Sequence, residues 1–275
     1  LPVAPPADAL PGRGGLQMSL VPRLSEGLPG VRDWWARYPY SCLEQQTSKA
    51  VGMNEPQLWQ EMMGKLPNYL DSDGLANYFP VSDPTRRTGS DALTAHLVNL
   101  SALARGLDKR YVIPDAELRQ MELGLAAFVE GRIKREFWSP VKDLEMRKIA
   151  AIAALAAQGH ADVRMLDSIN IAPNTWPTHT VIDWVLLLQR MPQIAQRDDK
   201  LAQAMQILRA RLIFNGTRAG FSSEKEDNWW WLMRGPDVNL ARLILATIDA
   251  PEWKDDLPRL VSGFLTRQQG GAWHT

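Results

Sequence analysis

The sequence predicts an all-α fold, an α/α toroid in which helical hairpins stack into a ring, preceded by a short strand or linker. Three observations lead to it. From about Leu28 onward, apolar residues recur at helical spacing. Strand signals are few and short. Helix–loop–helix units recur loosely, at a period of roughly 40–50 residues. A helix in such a unit cannot bury its apolar stripe alone, so successive hairpins must stack. Three segments between helices join glycine to aromatics: Gly74 to Phe79, Gly220 to Trp231 and Gly270 to Trp273. The first two each lead, through a polar loop, into an apolar helix. A circular arrangement gathers such loops at one end of the ring.

Taken in order, Leu1 to Gly15 is rich in Pro, Gly and Ala and reads as linker. Leu16 to Pro22 sets Leu16, Met18 and Leu20 on alternate positions, a weak strand with no partner in this chain. Residues 1–27 are therefore assigned to a linker and a strand of a preceding domain, and 28–275 to the helical domain. Helices are expected near 42–64, 90–106, 114–135, 144–158, 161–169, 177–190, 194–213, 237–249 and 255–268. The clearest opens at Pro114-Asp115 and places Leu118, Met121, Leu125, Phe128 and Val129 on one face. Asp91 and Asp237 stand near two further helix starts, where a carboxylate meets the positive helix end. Pro192 and Pro251 follow helix ends. Neither Leu1 nor the Gly270-Gly271-Ala272-Trp273 region looks like a natural terminus. The domain is therefore expected to be a segment of a longer chain, its ring truncated at the C-terminal end.

Composition narrows the function. The 275 residues suffice for one large domain with a real core. Thirty-one basic residues balance 31 acidic ones, which argues against a nucleic-acid binder, since that needs a basic surface. The single cysteine, Cys42, excludes an internal disulfide and any multi-cysteine metal centre. His96, His160, His179 and His274 show no metal-ligand spacing, so neither a metal nor a cofactor is expected. The longest apolar runs, Ile149 to Ala157 and Val181 to Leu188, fall far short of the ~20 residues of a membrane span. No signal-peptide pattern is present.

A lone cysteine is most simply a small buried hydrophobe. Its neighbours here are unusual: Tyr38-Pro39-Tyr40-Ser41-Cys42-Leu43-Glu44-Gln45. On the first turn of a helix, Cys42 and Gln45 share a face. A helix N-terminus at Cys42 is expected to favour its thiolate. The run Cys-Leu-Glu-Gln resembles the defining Cys-x-Glu-Gln motif of the thioester proteins, the complement proteins and α2-macroglobulins, and the longer Tyr-Pro-Tyr-Ser-Cys-Leu-Glu-Gln is similar to the bacterial α2-macroglobulin version. Weaker likenesses support it: Arg23 to Gly30, the Gly89 to His96 helix start, and Gly270 to Trp273, which resembles a family Gly-Gly-x-Trp loop. The resemblance covers Arg23 to the end.

It implies a β-cysteinyl–γ-glutamyl thioester between Cys42 and Gln45, formed with loss of ammonia from the Gln45 amide. Sulfur donates poorly into the carbonyl, so the Gln45 carbon becomes electrophilic. A target amine attacks it, Cys42 leaves, and the target is bonded covalently. This happens once, so the chain is not an enzyme and Cys42 is not a turnover catalyst. The family precedent nominates Tyr38, four residues before the cysteine, to shield the bond; Tyr40 lies near, and Glu44 belongs to the motif. Both tyrosines could equally just pack the first hairpin. Complement proteins that prefer hydroxyls carry a catalytic histidine at a position where this chain has Asp143. His160, the nearest histidine beyond, reads as an exposed loop residue. Without that histidine, lysine amines are the expected targets.

The resemblance further implies a periplasmic protease trap as the parent protein, with lipid anchoring to the inner membrane left open. Proteases would be the covalent partners, and macroglobulin domains the neighbours. Two other readings stay open: an inert relative acting as an interaction domain, and an α/α-toroid enzyme of the terpene cyclase or prenyltransferase type. The latter lacks the DxDD and DDxxD motifs. Asn228-Trp229-Trp230-Trp231 could be a carbohydrate or partner platform, but such a run more often packs hairpin loops together, and the eleven tryptophans are assigned to packing. Asp71-Ser72-Asp73-Gly74 reads as a turn rather than a calcium loop, and Asp198-Asp199 as an inter-helix turn.

Overall fold

A computed structural model describes Asp8, Leu10 and residues 30–83, 85–222 and 228–273. The linker, the strand Leu16 to Pro22, the Arg23 to Pro29 part of the family likeness, residues 225–227 and His274 lie outside the described residues. Helices α1 (Val31–Arg37), α2 (Leu43–Gly52), α3 (Pro56–Lys65), α4 (Asp91–Ala104), α5 (Asp115–Val129), α6 (Leu144–Ala157), α7 (Thr178–Arg190), α8 (Arg197–Ala210), α9 (Pro236–Thr247) and α10 (Leu257–Leu265) dominate. The expected all-α class is found.

The helices form two layers. In one, α2 packs on α4, α4 on α6, α6 on α7 and α7 on α9. In the other, α3 covers α2, α5 covers α4 and α6, α8 covers α7, and α10 covers α9. The core between the layers contains fully buried Leu43, Trp59, Leu93, Leu97, Tyr111, Phe128, Val181, Trp184 and Leu243. Burying one such side chain contributes ~1.5–3 kcal/mol, so the continuous interlayer core holds the ring together. A cavity of about 630 Å³ lies among α1, α2, α4, α7, α9 and the 271–273 turn.

Local chemistry sets the boundaries. Ser90 caps α4 by accepting the Leu93 N–H at 3.1 Å. Pro56 and Pro236 stand in the first turns of α3 and α9, where no N–H is needed. Gly131, at φ 77°, ends α5 short of the expected residue 135. The single helix expected over 42–64 is two helices: Asn54 turns left-handed at φ 56°, and Pro56 restarts the chain as α3. The segment near 161–169 is a 3-10 turn, Val163–Ser168, capped by Asp162. Asp198 and Asp199 are not in an inter-helix turn; they occupy the first turn of α8, at its positive end. α1 was not among the expected helices. Nor was the hairpin of β1 (Leu212–Asn215) and β2 (Arg218–Phe221), antiparallel with Leu212 opposite Phe221, which packs on α10.

Two buried ion-pair networks tie loops to helices. Asp71 accepts the N–H groups of Asp73, Leu75 and Gly89 and pairs with Arg135 at 2.8 Å. The Asp71 region is thus a turn, as expected, but a buried and charged one. Arg147 pairs with Asp91 at 2.8 Å and with Asp143 at 3.1 Å.

Candidate functional site

Cys42 is the residue before the first turn of α2, extended at φ −67° and ψ 164°. It sits in a reciprocal capping box. Its side chain accepts the Gln45 backbone N–H, and Gln45 Oε1 accepts the Cys42 backbone N–H at 3.3 Å. The Gln45 side chain therefore folds back over Cys42. The sequence expectation that the two share a face is met by mutual contact.

Tyr38 adds a third member. Gln45 Nε2 donates to the Tyr38 hydroxyl at 3.4 Å, so the tyrosine lies against the amide nitrogen. The Tyr38 ring is held by Trp34 at 4.6 Å and Trp35 at 5.2 Å. These come from α1, whose role is thus to hold the aromatic cover. Tyr40 packs edge-on to Tyr38 at 5.3 Å but is 64% exposed. Burial, with Glu44 and Cys42 nearby, pushes the Tyr38 phenol above its usual range, so the hydroxyl that accepts from Gln45 stays neutral.

Cys42 is buried. Burial raises its thiol pKa; the Gln45 and Glu44 backbone N–H groups pull the other way and Glu44 adds to the rise. The expectation that the helix end would favour the thiolate is thus corrected in sum: the N–H groups do lower the pKa, but desolvation outweighs them. Burial also raises the Glu44 carboxyl, which accepts the Ser48 hydroxyl at 2.9 Å.

Sequence reasoning missed Tyr78. Its carbonyl accepts the Leu43 N–H at 2.9 Å, pinning the start of α2. Burial, then Glu44 and Cys42, push its phenol up to about 12. The signal was available, since Tyr78 lies in the first glycine–aromatic segment.

Asp143 is not free for chemistry. It precedes α6, is buried, and binds Arg147 and Trp231 Nε1, the latter at 3.2 Å. His160 is an exposed loop residue, with Nδ1 2.8 Å from Glu122 Oε1. No described histidine is hydrogen-bonded to Cys42 or Gln45. Among the described residues no cluster of histidine, cysteine and carboxylates suits a metal ion, and no helix is long and apolar enough to cross a membrane. The assignment of all tryptophans to packing needs correction: Trp138 and Trp230 are 69% and 59% exposed and stack on each other at 5.9 Å.

The fold has solved counterparts. It is similar to native α2-macroglobulin of Escherichia coli spanning domain MG7 to the C-terminus, with a TM-score of 0.60 and 14% identity over 88% of this chain and 38% of that one. A native-conformation structure of E. coli α2-macroglobulin gives a TM-score of 0.61 and 15% identity over 88% of this chain and 15% of that one. A trypsin-activated form gives 0.54 and 14%, over 85% and 16%. This chain therefore has the fold of a domain of that protein and spans well under half of the chains it matches. No sequence-family profile matches the chain. No curated protein matches it in sequence.

Proposed function

We propose that this chain is the thioester domain of a bacterial α2-macroglobulin-type protease trap. The reciprocal pairing of Cys42 and Gln45 beneath Tyr38 carries the reading. Attack of Sγ on the Gln45 side-chain carbon expels ammonia and closes the thioester. A lysine amine then attacks the same carbon. An amide forms, the C–S bond breaks, and the amine's surplus proton passes to the departing sulfur. The raised Cys42 pKa suits that ending, because the sulfur finishes as a neutral thiol.

Tyr38 fits the role of cover. The nitrogen of the new amide takes the place of Gln45 Nε2, beside the Tyr38 hydroxyl. An incoming amine must therefore pass this tyrosine, and so must water. With Asp143 held by Arg147 and no described histidine hydrogen-bonded to Cys42 or Gln45, direct aminolysis is the proposed route. One bond is made per molecule, without turnover. In the parent, bait cleavage would expose the bond, proteases would be bonded through lysines, and macroglobulin domains would flank this one in the periplasm.

Mass and thiol titration test the reading. The intact bond makes the chain ~17 Da lighter than its sequence mass, because ammonia has left, and methylamine should release one thiol. Cys42→Ala and Gln45→Ala should abolish both signatures. A full sequence mass with a free thiol in untreated parent protein would favour the inert interaction domain instead. Methylamine should be incorporated faster than glycerol; the reverse order would overturn the amine preference.

A further inference from the structure

We propose that the cavity enclosed by the ring binds an alkyl carboxylate, its head on Arg234 and Arg242 and its chain along Leu103 and Leu245. Tyr38, Glu44 and Gln45 also line this cavity, but the contacts proposed here are to other residues and do not require the thioester.

The cavity, about 630 Å³, is lined by both charged and apolar groups. Arg234 comes from the loop before α9 and is only 8% exposed. The one described hydrogen bond of its guanidinium is to the Met233 carbonyl, at 3.3 Å, and no carboxylate is in ion-pair contact with it among the described residues. Asp183 favours its charge from a distance and Arg242 disfavours it; a buried guanidinium with no carboxylate in contact is costly, and an anion offsets that cost. The loop holds it there through a left-handed Met233, φ 55°, and the Trp229–Arg234 bridge. Arg242, on α9, is paired with Asp183 of α7. His96 Nε2, on the same cavity, is buried without a partner. The carboxylate on the wall, Glu44, takes its bond from Ser48.

The remaining lining is apolar. Leu103 and Leu245, near the C-terminal ends of α4 and α9, are about half exposed, while Arg234 and Arg242 are largely buried. A head group thus goes inward and a hydrocarbon tail outward. A bidentate guanidinium–carboxylate pair gives the head its specificity, and an apolar wall with a few polar groups is the usual make-up of a small-molecule site.

Titration calorimetry with octanoate, octanol and octylammonium tests the proposal. Octanoate should bind at least tenfold more tightly than either comparator. Arg234→Gln should weaken octanoate at least tenfold. Leu245→Glu, on the half-exposed wall, should do the same without burying a new charge, and it serves if Arg234→Gln does not fold. Octanoate that fails to bind at millimolar concentration, that binds no better than octanol, or that ignores both substitutions would overturn the proposal. Methylamine-released thiol should be the same in Leu245→Glu as in the original chain, so failure here and failure of the thioester reading can be told apart.

Discussion

At the scale of single residues, Tyr38 and Tyr40 make contrasting predictions. Tyr38 lies on the Gln45 amide and Tyr40 lies outside it. Tyr38→Ala should speed loss of the thioester in water several-fold, read as thiol appearing with time, while Tyr40→Ala should change the rate little. Equal rates in the two variants would remove Tyr38 from its role. Much of this site was legible in the sequence because it is local: Cys42, Gln45 and Tyr38 lie within one loop and one helical turn. Tyr78 lay in a segment already marked by glycine and aromatics, but its bond to the start of α2 was not legible, nor was the bond of Asp143 to Trp231, 88 residues away; Arg147, four residues from Asp143, was within local reach. Asp143 looked available by alignment; in the fold it neutralises Arg147.

At the scale of elements, close backbone approach makes the sharpest prediction. Gly263 of α10 faces the Ala219 carbonyl of β2, with no room for a Cβ. Gly263→Ala should destabilise the fold by ~1–3 kcal/mol, as overpacking does, measurable by urea denaturation; an unchanged midpoint would mean that hairpin and helix separate freely. Arg147 makes a second. Arg147→Met strands Asp91 and Asp143 in the interior, which typically costs about 3–5 kcal/mol; a loss under 1 kcal/mol would show that water reaches the pair. Helices α5 and α9 were legible from periodicity, since each buries mainly one face, and α6 and α7 from their apolar runs, since they are buried nearly all round. The hairpin was overlooked although Asn215-Gly216 is a strong turn signal, because the apolar residues Leu212 and Ile213 continued the helical pattern of α8. The break at Asn54 has a similar origin: the pattern runs on, but Pro56 restarts the backbone.

At the scale of the whole molecule, the ring buries histidines that carry no charge. Burial, with Arg234 and Arg242 nearby, lowers His96 to about 3 and His179 well below its usual value of 6.5. The unfolded chain takes up these protons near pH 6.5 and the folded chain does not. The stability this gives is complete above that pH and is lost as the pH falls, at ~1.4 kcal/mol per pH unit for each histidine. Urea denaturation at pH 5.5 should therefore show the fold about 2–3 kcal/mol less stable than at pH 7.5, and His96→Gln should remove about half of that difference. A flat profile would mean that the cavity already charges these rings. The ring itself was legible as a repeat, but its cavity was not: periodicity tells which face of a helix is apolar, not where arginines from α7, α9 and a loop converge.

One feature of the ring reaches further. Gly30 and Gly271, both left-handed at φ 93° and 94°, touch backbone to backbone, so the first described helix closes on the last described turn. The main layer contacts join elements close in sequence, and these can assemble in order as the chain emerges. The Gly30–Gly271 seam must wait for nearly the whole polypeptide, and it carries almost no side chains to reward its formation. It is the natural place for the fold to breathe. Amides of α1 and of residues 269–272 should exchange with solvent sooner than those of α4 or α7. Because α1 holds Tyr38, the proposed thioester would then be guarded by a loosely fastened part of the molecule.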